Sequence, residues 1–341
     1  MTLAQGDPWP MASTATLATA ALVAGVASAA GTAVSARLAQ RLGLVSSPNP
    51  IVADHVRPVP YLGGVGMAIG MVTGFAALRW SAGPDVASAY GAVVGFAMLF
   101  AALGVLDDAR PWTPGIKSLG QAVLATGAVL SGVHAPMFGI EIVDRVICVV
   151  WIVAIVNAFN FIDVSDGLLA SAALGVCTSL AVGCPDVAPM AVVMAAVCVG
   201  FLPFNVPPAR VFAGDAGSHL LGFVLAALVL HTVASDPDDA LQWVTAPTML
   251  GVAVFEGVFV TAVRIRKGLP WWRGSPDHVA LRMRTLGFSR SQINAIAFAA
   301  ACACGASAIL LEGRSPEIVI LGAAGLCGVG AIVWRWLLRA G

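Results

Sequence analysis

The sequence contains eleven apolar runs, each close to the roughly 20 residues that an α-helix needs to cross a bilayer. Of the 341 residues, 59% are hydrophobic and only 11% are charged, whereas an ordinary soluble domain is about 25% charged. This composition excludes a cytosolic enzyme, a disordered protein and a nucleic-acid binder. We therefore predict an all-α, polytopic membrane protein with about eleven transmembrane helices. The runs lie at 13–36, 61–79, 87–106, 116–133, 145–162, 167–184, 187–204, 217–234, 243–263, 293–312 and 317–336.

The basic residues predict the orientation of these helices. No basic residue precedes Arg37, and Arg37 and Arg41 follow the first apolar run. Because cytoplasmic loops carry the excess of lysine and arginine, this order places the N-terminus outside. Alternating eleven spans from there leaves Arg79, Arg145 and Arg314 outside, and the other fifteen of the eighteen basic residues inside. The C-terminus is then cytoplasmic.

Five acidic residues on the predicted cytoplasmic side lie at or next to helix ends, in three separate segments. The first segment contains the adjacent Asp107 and Asp108, followed by Lys117 and Gln121 on the next helix. Adjacent carboxylates suit a divalent cation or a proton transfer, and Lys117 supplies a compact positive charge for a phosphate. Taken alone, the segment also fits an ordinary polar cap at the membrane surface.

The second segment runs from Asn157 to Leu168 and carries a polar residue at every third position. This spacing puts four side chains on roughly one face of a helix. Because polar groups at the end of a span are costly against lipid, we expect them to face a cavity or each other. Structural packing of the amides is the alternative. The four residues are Asn157, Asn160, Asp163 and Asp166.

The third segment reads Gly214-Asp215-Ala216-Gly217-Ser218 at the start of an apolar run. Free backbone N–H groups, the positive end of a helix dipole and a carboxylate together suit a phosphate with a metal ion. A simple N-cap by Asp215 or Ser218 is the alternative.

The longest predicted inside loop runs from Arg264 to Arg290 and includes Trp271, Trp272 and His278. Basic residues and tryptophans also occur at membrane surfaces simply as anchors. The combination of segments is more specific than any one of them, because carboxylates, a lysine and several arginines converge on one membrane face. Together they predict chemistry on a polyphosphate with a divalent metal, close to lipid.

These segments, in this order, resemble the polyprenyl-phosphate N-acetylhexosamine-1-phosphate transferases. Those membrane enzymes begin the lipid intermediates of O-antigen, enterobacterial common antigen, teichoic acid and peptidoglycan. The resemblance covers about residues 48 to 290. It rests on Pro48-Asn49 with His55, on Leu106-Asp107-Asp108 with Lys117 and Gln121, on Asn157 through Leu168, and on Asn205-x-Pro-Pro-Ala-Arg210 through Ser218.

The resemblance implies an enzyme of the bacterial inner membrane with its active site on the cytoplasmic face. Such an enzyme transfers N-acetylhexosamine 1-phosphate from a UDP-sugar to polyprenyl phosphate and releases UMP, which initiates a cell-surface polysaccharide such as lipopolysaccharide. It implies Mg²⁺ as cofactor, with Mn²⁺ as an alternative, and leaves a homodimer open. We expect one transmembrane domain over 1–341, within which 264–292 is a cytoplasmic substrate-recognition loop.

Carried over by matching positions, the resemblance implies a role for each motif residue. The implied roles are catalytic for Asp107, Asp108, Lys117, Asp163 and Asp166, metal-binding for Asp215 and Asp163, and substrate-binding for His55, Asn157, Asn160, Asn205, Arg210, Gly217, Ser218, His278 and Arg282.

The sequence departs from the family pattern in three places. The basic pair expected before His55 is Val52-Ala53, and an aspartate expected in the ninth span is Glu256. Of a His-x-His-His cluster in the last inside loop only His278 remains, because positions 280 and 281 hold alanine and leucine. Since that loop contributes to sugar-nucleotide recognition in the family, sugar specificity is the least transferable inference.

Two other functions stay open at this stage. Asp163-x-x-Asp166-Gly167-x-x-Ala170 matches the start of the CDP-alcohol phosphotransferase signature, but Ser171 stands where that signature has arginine. An ion-coupled secondary transporter would use Glu256 and the carboxylates of the cytoplasmic face. It predicts acids near the bilayer midplane and two related halves, whereas the acids of this sequence cluster at one face.

Overall fold

The structure, a computed structural model, describes residues 12–46, 58–136, 138–234, 241–270 and 272–340, and for residues 84–89, 242 and 340 the backbone alone. Within these ranges the chain forms thirteen α-helices and two short strands. The helices are α1 Thr14–Leu42, α2 Gly63–Ala82, α3 Pro84–Ala109, α4 Pro114–Leu130, α5 Glu141–Ile162, α6 Leu168–Gly183, α7 Ala188–Asn205, α8 Gly214–Ala234, α9 Gln242–Met249, α10 Gly251–Arg266, α11 Val279–Thr285, α12 Arg290–Leu311 and α13 Pro316–Leu337.

Each apolar run of the sequence coincides with a helix, or in one case with two. Eight of the described helices are long and apolar enough to cross a membrane: α1, α2, α3, α5, α7, α8, α12 and α13. Helices α4 and α6 have 17 and 16 residues, at the lower limit of length for a span. The chain is therefore an all-α membrane protein, and the number of eleven spans stays a prediction.

The ninth apolar run does not form the single straight helix that its length suggests. Helices α9 and α10 meet at a bend of 86°. Pro247 lies inside α9, and a proline lacks the N–H that would continue the helical hydrogen bonds. Gly251 begins α10 against α12, where a Cβ atom would come within 2.7 Å of Cys304 Sγ. The two residues therefore allow a sharp turn that the hydropathy pattern does not reveal.

A short pair of strands adds to the helices, although the sequence predicts none. Strands β1 (Val45–Ser46) and β2 (Val59–Pro60) are antiparallel, with Val45 opposite Pro60 and Ser46 opposite Val59. They lie between α1 and α2, where each two-residue stretch is too short to show an alternating pattern. The pair precedes Gly63 and Gly64, whose N–H groups donate to the carbonyls of Phe212 and Ala213 at 3.0 and 2.9 Å.

Helix α8 forms the centre of the bundle. Seventeen of its 21 residues are buried, and it packs against α2, α3 and α5. A helix that is apolar on all sides belongs in such a position. Its N-terminus lies very close to two neighbours, because a Cβ atom at Gly64 would come within 2.1 Å of Gly217 N and one at Gly104 within 2.3 Å of the Asp215 carbonyl carbon. Only glycine permits this approach, which brings the acidic segments together.

Candidate active site

The N-terminus of α8 is the meeting point of four carboxylates and a lysine. Asp107 and Asp108 come from the last turn of α3, Lys117 from the first turn of α4, Asp163 from the end of α5, and Asp215 from the first turn of α8. These five residues are called the acid site here. They lie at helix ends that the sequence analysis assigned to one membrane face.

Lys117 joins two of these carboxylates. Its Nζ lies 3.1 Å from Asp107 Oδ2 and also contacts Asp215 Oδ2. Asn160, in the last turn of α5, donates from Nδ2 to Asp215 Oδ1 at 2.6 Å and to Ser218 Oγ at 3.1 Å. The first turn of α8 is thereby held from two sides by helices that are distant in sequence. Asn160 and Ser218, both predicted to bind substrate, belong to this arrangement.

Asp108 caps α8 from outside that helix. Its Oδ1 accepts the N–H of Asp215 at 3.0 Å and its Oδ2 accepts that of Ala216 at 3.3 Å. The expectation of free N–H groups at this helix start is therefore wrong for these two, and the cap comes neither from Asp215 nor from Ser218. Gly214 makes the contact feasible, because its φ is +68° and a Cβ there would come within 2.5 Å of Asp108 Oδ2.

Asp163 follows the last residue of α5, and its pKa depends on burial and on the neighbouring carboxylates. Burial, and after it the charges of Asp215 and Asp108, raises the pKa of Asp163 to about 8. Like charges close together disfavour a further ionised carboxylate, and a nearby cation reverses that effect. Four carboxylates facing one lysine therefore form a site suited to a cation with oxygen ligands.

Asp166 does not share a helical face with Asn157, Asn160 and Asp163, contrary to the expectation, although its charge is close enough to raise the pKa of Asp163. Helix α5 ends at Ile162 and Gly167 adopts a left-handed conformation, so the period of three does not continue to Asp166. Asp166 Oδ2 instead accepts the N–H of Ala209 at 3.1 Å and an N–H of Arg290 at 3.0 Å. The carboxylate thus joins the turn before α6 to the loop before α8 and to α12.

Asn205 and Arg210 organise the same loop before α8. Asn205 Oδ1 accepts the N–H of Gly167 at 2.9 Å, and its Nδ2 donates to the Val211 carbonyl at 2.8 Å. Arg210 donates to the Pro203 carbonyl at 2.6 Å. Asn205 is buried and Arg210 is exposed. Of these two predicted substrate ligands, Asn205 has both ends of its amide engaged within the protein.

A second polar layer lies one helical turn from the acid site, inside the bundle. Asn157 donates to Gln121 Oε1 at 2.7 Å, and Gln121 Nε2 lies 3.2 Å from His219 Nε2. Gln121 and His219 are fully buried. His219 lies outside the residues predicted for the site, although a histidine within an apolar run is a recognisable signal. Gly217 is buried against α2. The substrate contacts of Asn157 and Gly217 stay predictions.

The loop between α10 and α11 contains a separate buried group of charges. His278 Nδ1 lies 2.8 Å from Glu256 Oε1, and its Nε2 lies 3.4 Å from an Arg264 nitrogen. Arg282 contacts Asp277 Oδ1 at 2.7 Å and the Leu337 carbonyl at 3.1 Å. With Lys267, which also contacts Asp277 at 2.7 Å, these residues are called the loop cluster here.

Arg282, to which the resemblance assigns substrate binding, is surrounded by protein groups. Its side chain is 4% exposed, and its guanidinium bonds to a carboxylate and to the end of α13. His278 is likewise buried, with Phe161 of α5 packed edge-on at 6.2 Å between ring centroids. The loop cluster therefore contacts the helix that carries Asn160, while its own polar atoms are largely paired.

Two further predictions concern the segment around His55 and the metal ion. His55, Pro48 and Asn49 lie outside the described residues. Among those that are described, no three His, Cys, Asp or Glu side chains converge as a ready-made metal cage. Mg²⁺ does not require one, because it is commonly held by one or two carboxylates together with substrate phosphates.

Comparison with known proteins identifies the family. The model of glycosyl transferase family 4 matches residues 90–233. The decaprenyl-phosphate N-acetylglucosaminephosphotransferase of Mycobacterium tuberculosis is 30% identical over 95% of this chain and 90% of its own length. A probable undecaprenyl-phosphate N-acetylglucosaminyl 1-phosphate transferase of Bacillus subtilis is 29% identical over 76% of this chain and 74% of its own. The chain therefore belongs to glycosyl transferase family 4, among the polyprenyl-phosphate N-acetylhexosamine-1-phosphate transferases that its motifs resemble.

Proposed function

We propose that the protein transfers N-acetylhexosamine 1-phosphate from a UDP-sugar to a polyprenyl phosphate, releases UMP and so initiates a bacterial cell-surface polysaccharide. The acid site carries this proposal, because it gathers carboxylates and a lysine at helix ends next to lipid. The names of the relatives, which specify decaprenyl or undecaprenyl phosphate and N-acetylglucosamine phosphate, support the same substrates.

The reaction exchanges one phosphoanhydride bond for another. An oxygen of the lipid phosphate attacks the phosphorus that carries the sugar, and the bond from that phosphorus to UMP breaks. Because the attacking oxygen is already anionic, no covalent enzyme intermediate is required. Lys117 is placed to hold phosphate oxygens. Asp107 is the better candidate than Asp108 for a proton on the lipid phosphate, since only its Oδ1 accepts a backbone N–H, from Trp112, whereas both oxygens of Asp108 do so.

The residues present fit a divalent ion, Mg²⁺ or alternatively Mn²⁺. Their donor atoms are carboxylate oxygens, which these hard cations prefer, and the surplus of negative charge around Asp163 favours a cation. Asp215 and Asp163 would hold it. When bound, the ion would neutralise charge on the diphosphate of the UDP-sugar. With or without the ion, the hydrogen bond from Asn160 keeps Asp215 oriented.

The acid site also supports the proposed topology of eleven spans with the N-terminus outside. Asp107 ends α3 and Asp163 ends α5, so α4 between them must return to the opposite side of the bundle. The same reasoning applies to α6 and α7, which separate Asp163 from Asp215. Short helices α4 and α6 then count as spans, and the acid site faces the cytoplasm from the inner membrane. A homodimer stays a prediction.

The test is a direct assay of the purified protein. It is incubated with polyprenyl phosphate, Mg²⁺ and a panel of UDP-sugars, and both UMP and lipid-linked sugar are measured. We expect UMP release that depends on both the lipid and the metal, with at least one UDP-N-acetylhexosamine. A reaction mixture without the lipid controls for hydrolysis of the nucleotide sugar. Absence of both products with every UDP-sugar would refute the proposal.

A further inference from the structure

We infer that Gln121, Asn157 and His219 are positioning residues for the acid site, and that they hold His219 as a neutral imidazole protonated on Nδ1. This inference rests on the proposed function for its kinetic consequence, but its structural core stands on hydrogen-bond geometry alone. The three residues are called the polar relay here. They come from α4, α5 and α8, the helices that carry Lys117, Asn160 and Asp215.

The spacing along each helix links the polar relay to the acid site. Gln121 follows Lys117 by four residues and His219 follows Asp215 by four, while Asn157 precedes Asn160 by three. Residues three or four apart lie on one face of a helix, one turn from each other. The polar relay therefore lies one turn deeper in the bundle than Lys117, Asn160 and Asp215, on the same three helices.

The direction of each hydrogen bond follows from one unambiguous acceptor. Asn157 Nδ2 lies 2.8 Å from the carbonyl oxygen of Val153, which can only accept. The amide of Asn157 is therefore oriented with its nitrogen toward Gln121, at 2.7 Å. Since two donors cannot bond to each other, the Gln121 atom at this contact must be Oε1.

The amide nitrogen of Gln121 then determines the protonation state of the His219 ring. Gln121 Nε2 can only donate, and it lies 3.2 Å from His219 Nε2. That ring nitrogen must accept, so it carries no proton, and the imidazole is neutral with its proton on Nδ1. The tautomer thus follows from the Gln121 contact, whose direction is fixed in turn by Asn157 and the Val153 carbonyl.

The relay residues act through others rather than on a substrate. Gln121 and His219 are 0% exposed, and hydrogen bonds between buried side chains fix the relative rotation of the helices that carry them. Their effect is to keep Lys117 and Asn160 directed at Asp215. Loss of the relay should therefore slow turnover without weakening the binding of the sugar nucleotide, because Gln121 and His219 are buried and the relay side chains bond to one another.

The first experiment reads the tautomer directly. Full-length protein labelled with ¹⁵N-histidine is placed in lipid nanodiscs at pH 7, and the His219 signals are identified by their loss in His219→Leu. We expect a neutral ring with the proton on Nδ1. In Gln121→Glu, which replaces the donor with an acceptor, we expect the Nε2 of His219 to become protonated. A wild-type His219 protonated on Nε2 overturns the inference.

The second experiment measures the kinetic consequence. We expect Gln121→Leu to lower kcat about tenfold, or about 1.4 kcal/mol, with the KM for the UDP-sugar changed by less than about twofold. His219→Leu should cost no further activity in the Gln121→Leu background, because the two residues act through one contact.

The matched control is Ser28→Ala, which loses a buried hydrogen bond of 2.9 Å from Ser28 Oγ to the Val197 carbonyl, between α1 and α7. It should keep near-normal kcat. A Gln121→Leu protein with the kcat of Ser28→Ala overturns the positioning role. Inactivity of the wild-type protein with every UDP-sugar would instead refute the proposed function, whereas the histidine spectrum still decides the polar relay.

Discussion

The acid site and the loop cluster contain similar residue types but differ in charge balance. The acid site has four carboxylates and a single lysine, and the pKa of Asp163 is raised to about 8. The loop cluster has two carboxylates, Glu256 and Asp277, with Arg264, Lys267 and Arg282 as cations. One region therefore has a surplus of negative charge, and the other has already paired its charges within the protein.

The difference teaches that a basic, histidine-containing loop does not have to bind its ligand through the residues that stand out in the sequence. His278 and Arg282 are buried and bonded to protein groups. Phe161, which adjoins Asn160 on α5, packs against the His278 ring and the Arg264 guanidinium, so the loop cluster contacts the helix end that carries Asn160.

The largest effect is expected when the acid site loses the charge at the start of α8. We predict that Asp215→Asn lowers kcat by at least about 10²-fold, the scale of losing one key electrostatic group. Folding should persist, because Asn keeps the size and can still accept from Asn160. The measurement is UMP release by protein matched for thermal stability. Glu141→Gln, at an exposed acid on α5, is the control, and near-normal turnover of Asp215→Asn would contradict the assignment.

The adjacent aspartates provide a comparison within the acid site itself. Asp107→Asn should lower kcat about tenfold with little change in unfolding temperature. Asp108→Ala should also destabilise the fold by about 1–2 kcal/mol, because it removes the cap of α8. Thermal unfolding in detergent and kcat are measured for both variants. Equal stability of the two variants would show that the Asp108 cap is dispensable.

Removal of Arg282 tests whether the loop cluster binds or supports. Arg282→Ala leaves buried Asp277 short of a partner and frees the Leu337 carbonyl. Removing one member of a buried ion pair costs about 3–5 kcal/mol, so we predict a lower unfolding temperature. The KM for the UDP-sugar should change by less than about twofold. A tenfold higher KM at unchanged stability would restore Arg282 as a phosphate ligand.

The smallest effect concerns the pH dependence of stability from the loop cluster. Burial acts to raise the pKa of Asp277, but hydrogen bonds from Lys267 and Arg282 hold it below its usual value. A lowered pKa stabilises the fold above the unfolded value of about 3.9, and this contribution is lost as pH falls toward the lower folded value. The stability difference between wild type and Asp277→Asn should therefore be full at pH 5–7 and shrink below about pH 4. A difference independent of pH would contradict this.

Much of the fold could be predicted from the sequence. The apolar runs coincide with helices because a span in lipid must satisfy its backbone hydrogen bonds internally, which makes each helix a local property. The three acidic segments were correctly expected at helix ends, and Asp107, Asp163 and Asp215 do meet. The bend at Leu250 was not predictable in the same way, because it depends on how closely α12 approaches Gly251.

The partners of the polar side chains were decided by the tertiary structure alone. Asp108 meets the N–H of Asp215 across 107 positions of sequence, Arg290 meets Asp166 across 124, and Arg282 meets the Leu337 carbonyl across 55. No local pattern encodes such contacts, because each depends on which helices pack together and at what rotation. The sequence by itself determined that the carboxylates gather at one end of a membrane bundle. Only the tertiary structure, through the close packing around Gly64, Gly104 and Gly214, determined which carboxylate caps a helix, as Asp108 caps α8, and which ones bond to side chains instead.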